Sequence, residues 1–567
     1  MKGHAVLHGL ERAVISLVPV TTAVLVTVPL IYVFVASFTS GPPGDPTAHF
    51  TLSKWQEVYT GAPFLEALWN SLELGLTVAV FSTLLGFILA WIAIRTDTPG
   101  RKYFDVAMLF PLYLSPLILA LAWVALGSSK VGYVNILWRQ MFDTSGPLMN
   151  IYSYGGIVFV LVLHFVPHAY LIIGSNLASL PRSLEEASQT CRASSWQTLR
   201  YITVPMLLPA ILASLIQVGV FSAEQFSVPF YLGISQGFET VPSQVYLAMA
   251  RYPTDYNVAA ATGTMLLWFT VTGVIVYRYM ISRSNQYATL SGKGDGAYVK
   301  KLGWAKYLAA GLMLVYLLAA VVLPLLALLW GSLQSYVSPV FTLETFSLKH
   351  WEKLLTDDTV FGAIKNSLLL GTVGATATLL FCLLISYVSL RTRALGRTVA
   401  DYLSTIPMSM PGIVLALGFL WFYVRSPLPL YGTLFGLGLA YAIRFMGHGV
   451  RMTSTGLLQV HTELLEAARM NRAGPLRTIK DILLPLLRPH LVSAWMILFV
   501  LFILELNITI LLYRSSSRTM SVYIWSQLDT LSQSAAYPVS LLQCLIVAVV
   551  LFVVARFKMS IRVRAAQ

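Results

Sequence analysis

Two carboxylates stand in otherwise apolar surroundings: Glu224 in VFSAEQFSVPF and Glu505 in LFILELNITI. They lie 19 and 20 residues beyond Pro205 and Pro485, so they hold near-equivalent places in two related stretches. At about 1.5 Å per helical residue, both fall roughly 28–30 Å along their helices, toward the far face of a membrane. An ionisable side chain at a bilayer centre costs about 2.5–3.5 kcal/mol or more, so one held in a span faces a cavity or a partner. Two carboxylates facing each other across a pseudo-two-fold axis would suit a hard cation such as Fe³⁺, which prefers oxygen ligands. The competing reading places both at the outer interface, or pairs them with loop arginines. His168 and His448 also match, at an offset of 280, with His164 opposite Arg444. These read as hydrogen-bonded packing residues near the cytoplasmic ends of their helices, with Arg444 snorkelling; a role toward substrate is the alternative.

A second pair of chemical signals is polar. EEASQTCRASSWQTLRYITVPMLLPAI starts at Glu185, and LEAARMNRAGPLRTIKDILLPLLRPHL starts at Leu465. At offset 280, Glu186-Ala187-Ser188 meets Glu466-Ala467-Ala468, Arg192 meets Arg472, Ile202 meets Ile482, and Val204-Pro205 meets Leu484-Pro485. Small residues permit close helix approach, and proline fits the first turn of a following helix because its missing N–H would be unpaired there. For one copy alone, a capping box Ser183-x-x-Glu186 would explain the glutamate. Two copies in register point to a shared docking task.

Other chemistries are excluded. SGKGDG lacks the G-x-x-x-x-G-K-[ST] spacing and the strand–helix setting of a nucleotide loop, so this chain is not expected to hydrolyse ATP. Cys191, Cys382 and Cys544 are far apart and suggest neither a disulfide framework nor a metal site. No clustered His/Asp/Glu set suggests a membrane-embedded enzyme.

The elements that carry these residues follow from composition. The chain is 57% hydrophobic and 11% charged, against about 25% charged in soluble domains. Its net charge of +14 is spread in short clusters between apolar runs, which indicates a membrane surface and argues against nucleic acid. Continuous apolar runs near 13–38, 68–94, 105–127, 154–177, 205–231, 259–281, 305–331, 364–390, 400–424, 430–450, 488–513 and 539–555 predict twelve spanning helices and no sheet. The first run is too long for a signal-peptide core and reads as a retained span. With the N-terminus inside, cytoplasmic segments hold 28 of the 38 Lys and Arg residues and outer segments hold 10. Both termini and both polar segments are therefore expected in the cytoplasm.

The repeat is global. Asn70-Ser71-Leu72 matches Asn366-Ser367-Leu368 at offset 296, as do Arg95-Thr96 with Arg391-Thr392 and Gly100-Arg101 with Gly396-Arg397. The later offset of 280 leaves a net 16 extra residues in the first half, assigned to the loop GSSKVGYVNILWRQMFDTSGPLMNIYSYGG. The expected organisation is a first half, 1–282, a cytoplasmic linker, 283–303, and a second half, 304–567. Each half has six spans, with the polar segments at about 182–204 and 462–484. An even number of spans per half gives the two copies one topology.

The twin segments resemble the EAA loop of binding-protein-dependent ABC importer permeases, whose pattern is E-A-A, then G, then I-x-L-P. In that family the loop forms a short coupling helix that docks on an ATP-hydrolysing subunit. The resemblance implies ATPase-coupling roles for Glu186, Ala187, Ser188, Arg192, Glu466, Ala467, Ala468 and Arg472. Arg192 and Arg472 replace the family's Gly, so a left-handed exit there would be strained or the turn displaced. FETVPSQVYLAMARYPTDYNVAAATG and ELNITILLYRSSSRTMSVYIWSQL resemble the fused ferric-iron permeases, a subgroup that also holds permeases for sugar phosphates, phosphonates and thiamine. The resemblance implies an all-α type I importer permease in the inner membrane. It also implies two copies of a cytoplasmic ATPase, which would hold ATP and Mg²⁺, and a periplasmic or lipid-anchored binding protein. No cofactor is expected on this chain. Import of an anionic or organic solute is the alternative within the class. A proton-coupled secondary transporter is the alternative outside it, and the twin loops argue against that.

Overall fold

A computed structural model describes residues 2–284, 299–335, 345–470, 474–529 and 533–565. Among these the chain is helical, with only isolated β-bridges and no strand. The first half comprises α1 (Lys2–Ser37), α2 (Ala62–Arg95), the broken α3 (Arg101–Tyr113 and Pro116–Gly127), α4 (Tyr154–Ser179), α5 (Arg182–Thr190), α6 (Ser195–Ala223), α7 (Val241–Ala250) and α8 (Tyr256–Ser284). The second half repeats this set: α9 (Ala305–Ser332), α10 (Asp358–Arg391), the broken α11 (Arg397–Ser409 and Gly412–Arg425), α12 (Leu434–Leu458), α13 (Thr462–Met470), α14 (Ile479–Leu504), α15 (Met520–Asp529) and α16 (Gln533–Ala565).

Nine helices among the described residues are long and apolar enough to cross a membrane. Two further expected spans, 105–127 and 400–424, are bent by 97° in α3 and 113° in α11. The bends fall at Ser115-Pro116 and Met410-Pro411, where proline disfavours continued helix in the residue before it. The remaining expected span, 430–450, is α12. Its Arg444, His448 and Arg451 make it more polar, and the repeat pairs it with α4.

Spans five and eleven begin earlier than their apolar runs suggest. Pro205 does not open α6; the helix starts at Ser195 and passes through a π-helical turn, Leu199–Thr203, before the proline. A capping box closes that start: Gln197 N donates to Ser194 Oγ at 3.2 Å, and Ser194 N donates to Gln197 Oε1 at 2.7 Å. The wider π turn takes up the proline that would otherwise interrupt the helix. The same arrangement, Ile479–Leu483, precedes Pro485.

The matched Asn-Ser-Leu triplets have a structural explanation. Asn70 donates to the Glu239 carbonyl at 2.9 Å, and Ser71 Oγ accepts the Val241 N–H at 2.9 Å, so α2 caps the start of α7. Asn366 donates to the carbonyls of Ser516 and Arg518, and Ser367 Oγ accepts the Met520 N–H at 2.9 Å, so α10 caps α15 identically. The short helices α7 and α15 thus return chain into the bundle after α6 and α14. Close packing sets the depth: a Cβ on Gly75 of α2 would lie 2.8 Å from the Gly219 carbonyl and 3.1 Å from Ala223 Cβ.

Most of the expected linker, at 285–298, lies outside the described residues. Its far end joins α2: Lys300 N donates to the Arg95 carbonyl at 2.8 Å, and Asp97 N donates to the Lys300 carbonyl at 3.1 Å.

Candidate functional site: twin docking helices and a buried charge cluster

The polar segments form α5 and α13, short helices at the same end of the two halves. Glu186 and Glu466 are exposed, as are Ala187 and Ala467, whereas Ser188 and Ala468 turn inward and are buried. α5 begins at Arg182, so Ser183 is not its N-cap and the local capping reading of Glu186 does not apply. Ser188 Oγ hydrogen-bonds Thr198 Oγ1 at 2.8 Å, fixing α5 to the first turn of α6.

Sequence inspection missed Glu185 and Arg95. The buried Glu185 carboxylate lies 3.4 Å from Arg95 Nε and accepts from Thr203 Oγ1 at 3.4 Å. Arg95 also donates to the carbonyls of Leu177 and Leu180 at 3.0 and 3.3 Å. One guanidinium therefore ties the end of α2 to the end of α4 and to the docking helix. In the second half Arg391 makes the matching link between α10 and the end of α12, donating to the Leu457 and Val460 carbonyls at 2.6 and 2.7 Å. The signal was present in the Arg95/Arg391 match, but a basic residue after an apolar run also satisfies the positive-inside pattern.

Arg192 has φ 55°, so this arginine occupies the left-handed region where the related pattern has glycine. Ala193 N donates to the Ser188 carbonyl at 3.1 Å and Cys191 N to the Ala187 carbonyl at 3.1 Å, which terminates α5. The left-handed conformation costs an L-residue roughly 1–2 kcal/mol. Replacing Arg192 with Gly should therefore slow amide exchange across 187–193 several-fold while leaving transport within about twofold. Unchanged or faster exchange would mean that the arginine side chain itself holds the turn. Arg472 lies outside the described residues. The Gly474 carbonyl accepts the Thr478 N–H at 2.9 Å, so Gly474 opens the next helix in the place of Ser194.

Glu224 and Glu505 cap the C-termini of α6 and α14. Their packing partners place them along the bundle. Gly75, packed on Ala223, is 13 residues from the start of α2 and 20 from its end. Those spacings correspond to about 20 and 30 Å. Gly371 holds the same place in α10 and packs on Ile503 of α14. Both carboxylates thus lie at matched heights, about 30 Å from the ends of α2 and α10 nearest α5 and α13, and the chain that returns through α7 and α15 encloses them.

Glu505 is 8% exposed, and its Oε1 accepts the Ile508 N–H at 2.8 Å. Glu224 Oε1 accepts from Thr270 at 3.4 Å. Arg444 is within electrostatic reach of both carboxylates, so it does not snorkel to a surface. The histidines lie in central turns: His168 is 14 residues from the start of α4 and 11 from its end. His164 and His168 rings are 6.1 Å apart, and the His168 ring is 6.1 Å from Phe221. The buried Nδ1 atoms of His164, His168 and His448 have no hydrogen-bond partner among the described residues, while the His164 ring bonds the backbone of Pro111.

A cavity of about 280 Å³ adjoins Glu224 and is lined by Gln217, Phe221, Thr405, Met408 and Arg451. Gln217 lies seven residues before Glu224 in α6, and Arg451 lies seven beyond Arg444 in α12, so the cavity extends toward the end bearing α5 and α13. Just past Glu224, Phe226 and Phe230 meet Trp525 of the other half at 5.0 and 5.3 Å, with Tyr246 at 5.8 Å. Aromatic packing closes the two halves together there. Among the described residues no group of three or more His, Cys, Asp or Glu is arranged to hold a metal ion.

Residues 82–343 and 363–563 match the family described as "Binding-protein-dependent transport system inner membrane component". The chain is 27% identical over 505 residues to "Putative ferric transport system permease protein FbpB 1" of Haemophilus influenzae, covering 88% of this chain and 77% of that protein. It is 28% identical over 498 residues to "Ferric transport system permease protein FbpB" of Actinobacillus pleuropneumoniae, covering 85% and 70%. The "Sulfate transport system permease protein CysT" of Escherichia coli is 24% identical over 220 residues, covering 39% of this chain and 77% of that protein.

Proposed function

We propose that this chain, which belongs to the family of binding-protein-dependent transport system inner membrane components, is the permease of an ATP-driven importer whose cargo is ferric iron. The observation that carries the cargo reading is the pair Glu224 and Glu505, held at matched depth at the ends of α6 and α14. Paired carboxylates inside the bundle, one of them lining a cavity, favour a hard multivalent cation over an anion. Similarity to the two ferric permeases over most of the chain supports the same choice.

The chain itself supplies no ATP hydrolysis in this reading. Two copies of a cytoplasmic ATPase, carrying ATP and Mg²⁺, would dock on α5 and α13, and an external binding protein would deliver the cargo at the opposite end. Both termini and the 283–303 linker would be cytoplasmic, with 1–282 and 304–567 as the moving halves. ATPase closure would draw α5 and α13 together. Arg95, tied to Glu185, would pass that motion to α2 and α4. The closed aromatic contact around Trp525 would part as the halves open outward, and the cavity beside Glu224 would serve release inward.

In vesicles containing the permease and its ATPase, ferric iron should accumulate only when both loaded binding protein and ATP are supplied. Accumulation of sulfate, phosphonate or sugar phosphate in place of iron would assign the chain to the anionic-solute alternative. Uptake driven by a proton gradient without ATP would refute the importer reading.

A further inference from the structure

The two halves are not equivalent at the charge cluster. At offset 280, α4 supplies His164 where α12 supplies Arg444. A guanidinium is protonated at every physiological pH, so only the second half places a permanent cation here. Its position is built into the break of α11. Arg444 donates from a terminal nitrogen to the Met410 carbonyl, immediately before the bend. Gly412, just past the bend, leaves room for it: a Cβ there would lie 3.1 Å from Arg444 Cζ and 3.3 Å from Nε. The buried Nε–H has no hydrogen-bond partner, so donor capacity is left unused.

The Arg444 guanidinium lies near both carboxylates: a Gly412 Cβ would touch both it and, at 3.0 Å, Asn507 Cβ, two residues past Glu505, while Met408 and Ser409, next to its Met410 anchor, line the cavity with Glu224. The carboxylates need such a cation. Each sits at a helix C-terminus, where the helix dipole adds partial negative charge. Glu505 is buried and Glu224 partly so, and the donors that reach them, the Ile508 N–H and the Thr270 hydroxyl, are neutral. Buried anions without a compensating charge are strongly destabilising.

Resting on the cation-pathway reading, we propose that Arg444 is a tethered stand-in for the cargo. It neutralises the Glu224/Glu505 pair while the pathway is empty, yields to a hard multivalent cation that enters between them, and returns as that cation leaves. A pathway must bind its ion weakly enough to release it. Competition from a covalently attached guanidinium provides that weakness, and the anchor at Met410 links its movement to the bend of α11.

The test uses the purified permease–ATPase complex without nucleotide or binding protein, titrated with radiolabelled gallium(III) citrate, a redox-inert hard trivalent probe. The wild-type complex should retain little metal. Arg444→Gln should retain it with at least tenfold lower Kd, and Arg444→Lys, which keeps a cation, should resemble wild type. Adding Glu224→Gln and Glu505→Gln to Arg444→Gln should abolish the gain. An assembled Arg444→Gln complex that retains no more gallium than wild type overturns the proposal. If that variant fails to assemble, Gly412→Ala pushes the guanidinium aside from the other direction and should also raise retention; unchanged retention there overturns the proposal too. Failure of the underlying reading is separately visible, as iron uptake that survives Glu224→Gln/Glu505→Gln.

Discussion

Iron uptake by the Glu224→Gln/Glu505→Gln permease should fall at least tenfold, while the basal ATPase activity of the assembled complex stays within about twofold. Glutamine keeps the size and hydrogen bonding of each side chain and removes its charge. A unit charge about 4 Å from another contributes roughly 4 kcal/mol at an effective dielectric near 20, and a multivalent cation gains more. Two such charges lost from a narrow pathway raise the barrier to cation entry by more than a tenfold effect requires. The variant also leaves Arg444 facing two neutral amides, so the cluster carries excess positive charge that repels the cargo. Direct uptake of radiolabelled iron into vesicles measures this. Unaffected uptake would make the pair structural and remove the physical support for a cation. An anionic cargo demands the opposite, transport as fast as wild type or faster.

Reversing charge at both docking helices, Glu186→Lys with Glu466→Lys, should eliminate uptake altogether while the permease remains in the membrane. Both glutamates are exposed on helices whose inward faces are already occupied: Ser188 bonds Thr198 and Ala468 is buried. The substitutions keep those inward contacts and reverse the charge of the exposed faces of α5 and α13. Like-charge juxtaposition at an interface costs several kcal/mol, and two reversed sites suffice to separate the complex. Co-purification of the ATPase with the tagged permease should disappear in parallel. Normal transport together with unchanged co-purification would refute the docking assignment.

The amino-acid sequence alone determined the architecture, the repeat and the two matched polar segments. Hydropathy is a property of consecutive residues, so continuous apolar runs announce helices in a bilayer without knowledge of packing. The offsets of 296 and 280 expose the duplication by comparison of the chain with itself. Glu186 and Glu466 were legible because the two copies vouch for each other. Even the anomaly at Arg192 was visible, and its φ of 55° shows that the turn kept its shape in spite of the side chain.

Only the tertiary structure decided enclosure and partnership. Counting residues from Pro205 and Pro485 gave Glu224 and Glu505 matching heights along α6 and α14 but could not say what surrounds them. The return of chain through α7 and α15, capped by Ser71 and Ser367, buries those ends within the bundle. Arg444 read as a snorkelling residue for a related reason. A long basic side chain at a helix surface reaches water unless a neighbouring element encloses it, and here the bend of α11 at Met410–Gly412 does so. Arg95 and Glu185 are 90 positions apart, and their buried contact was hidden in a sequence where each looked like an ordinary loop charge. Charges separated along the chain interact only after folding brings them together and excludes the water that would screen them. Local sequence therefore specified the helices, and the packing of those helices specified which charges meet.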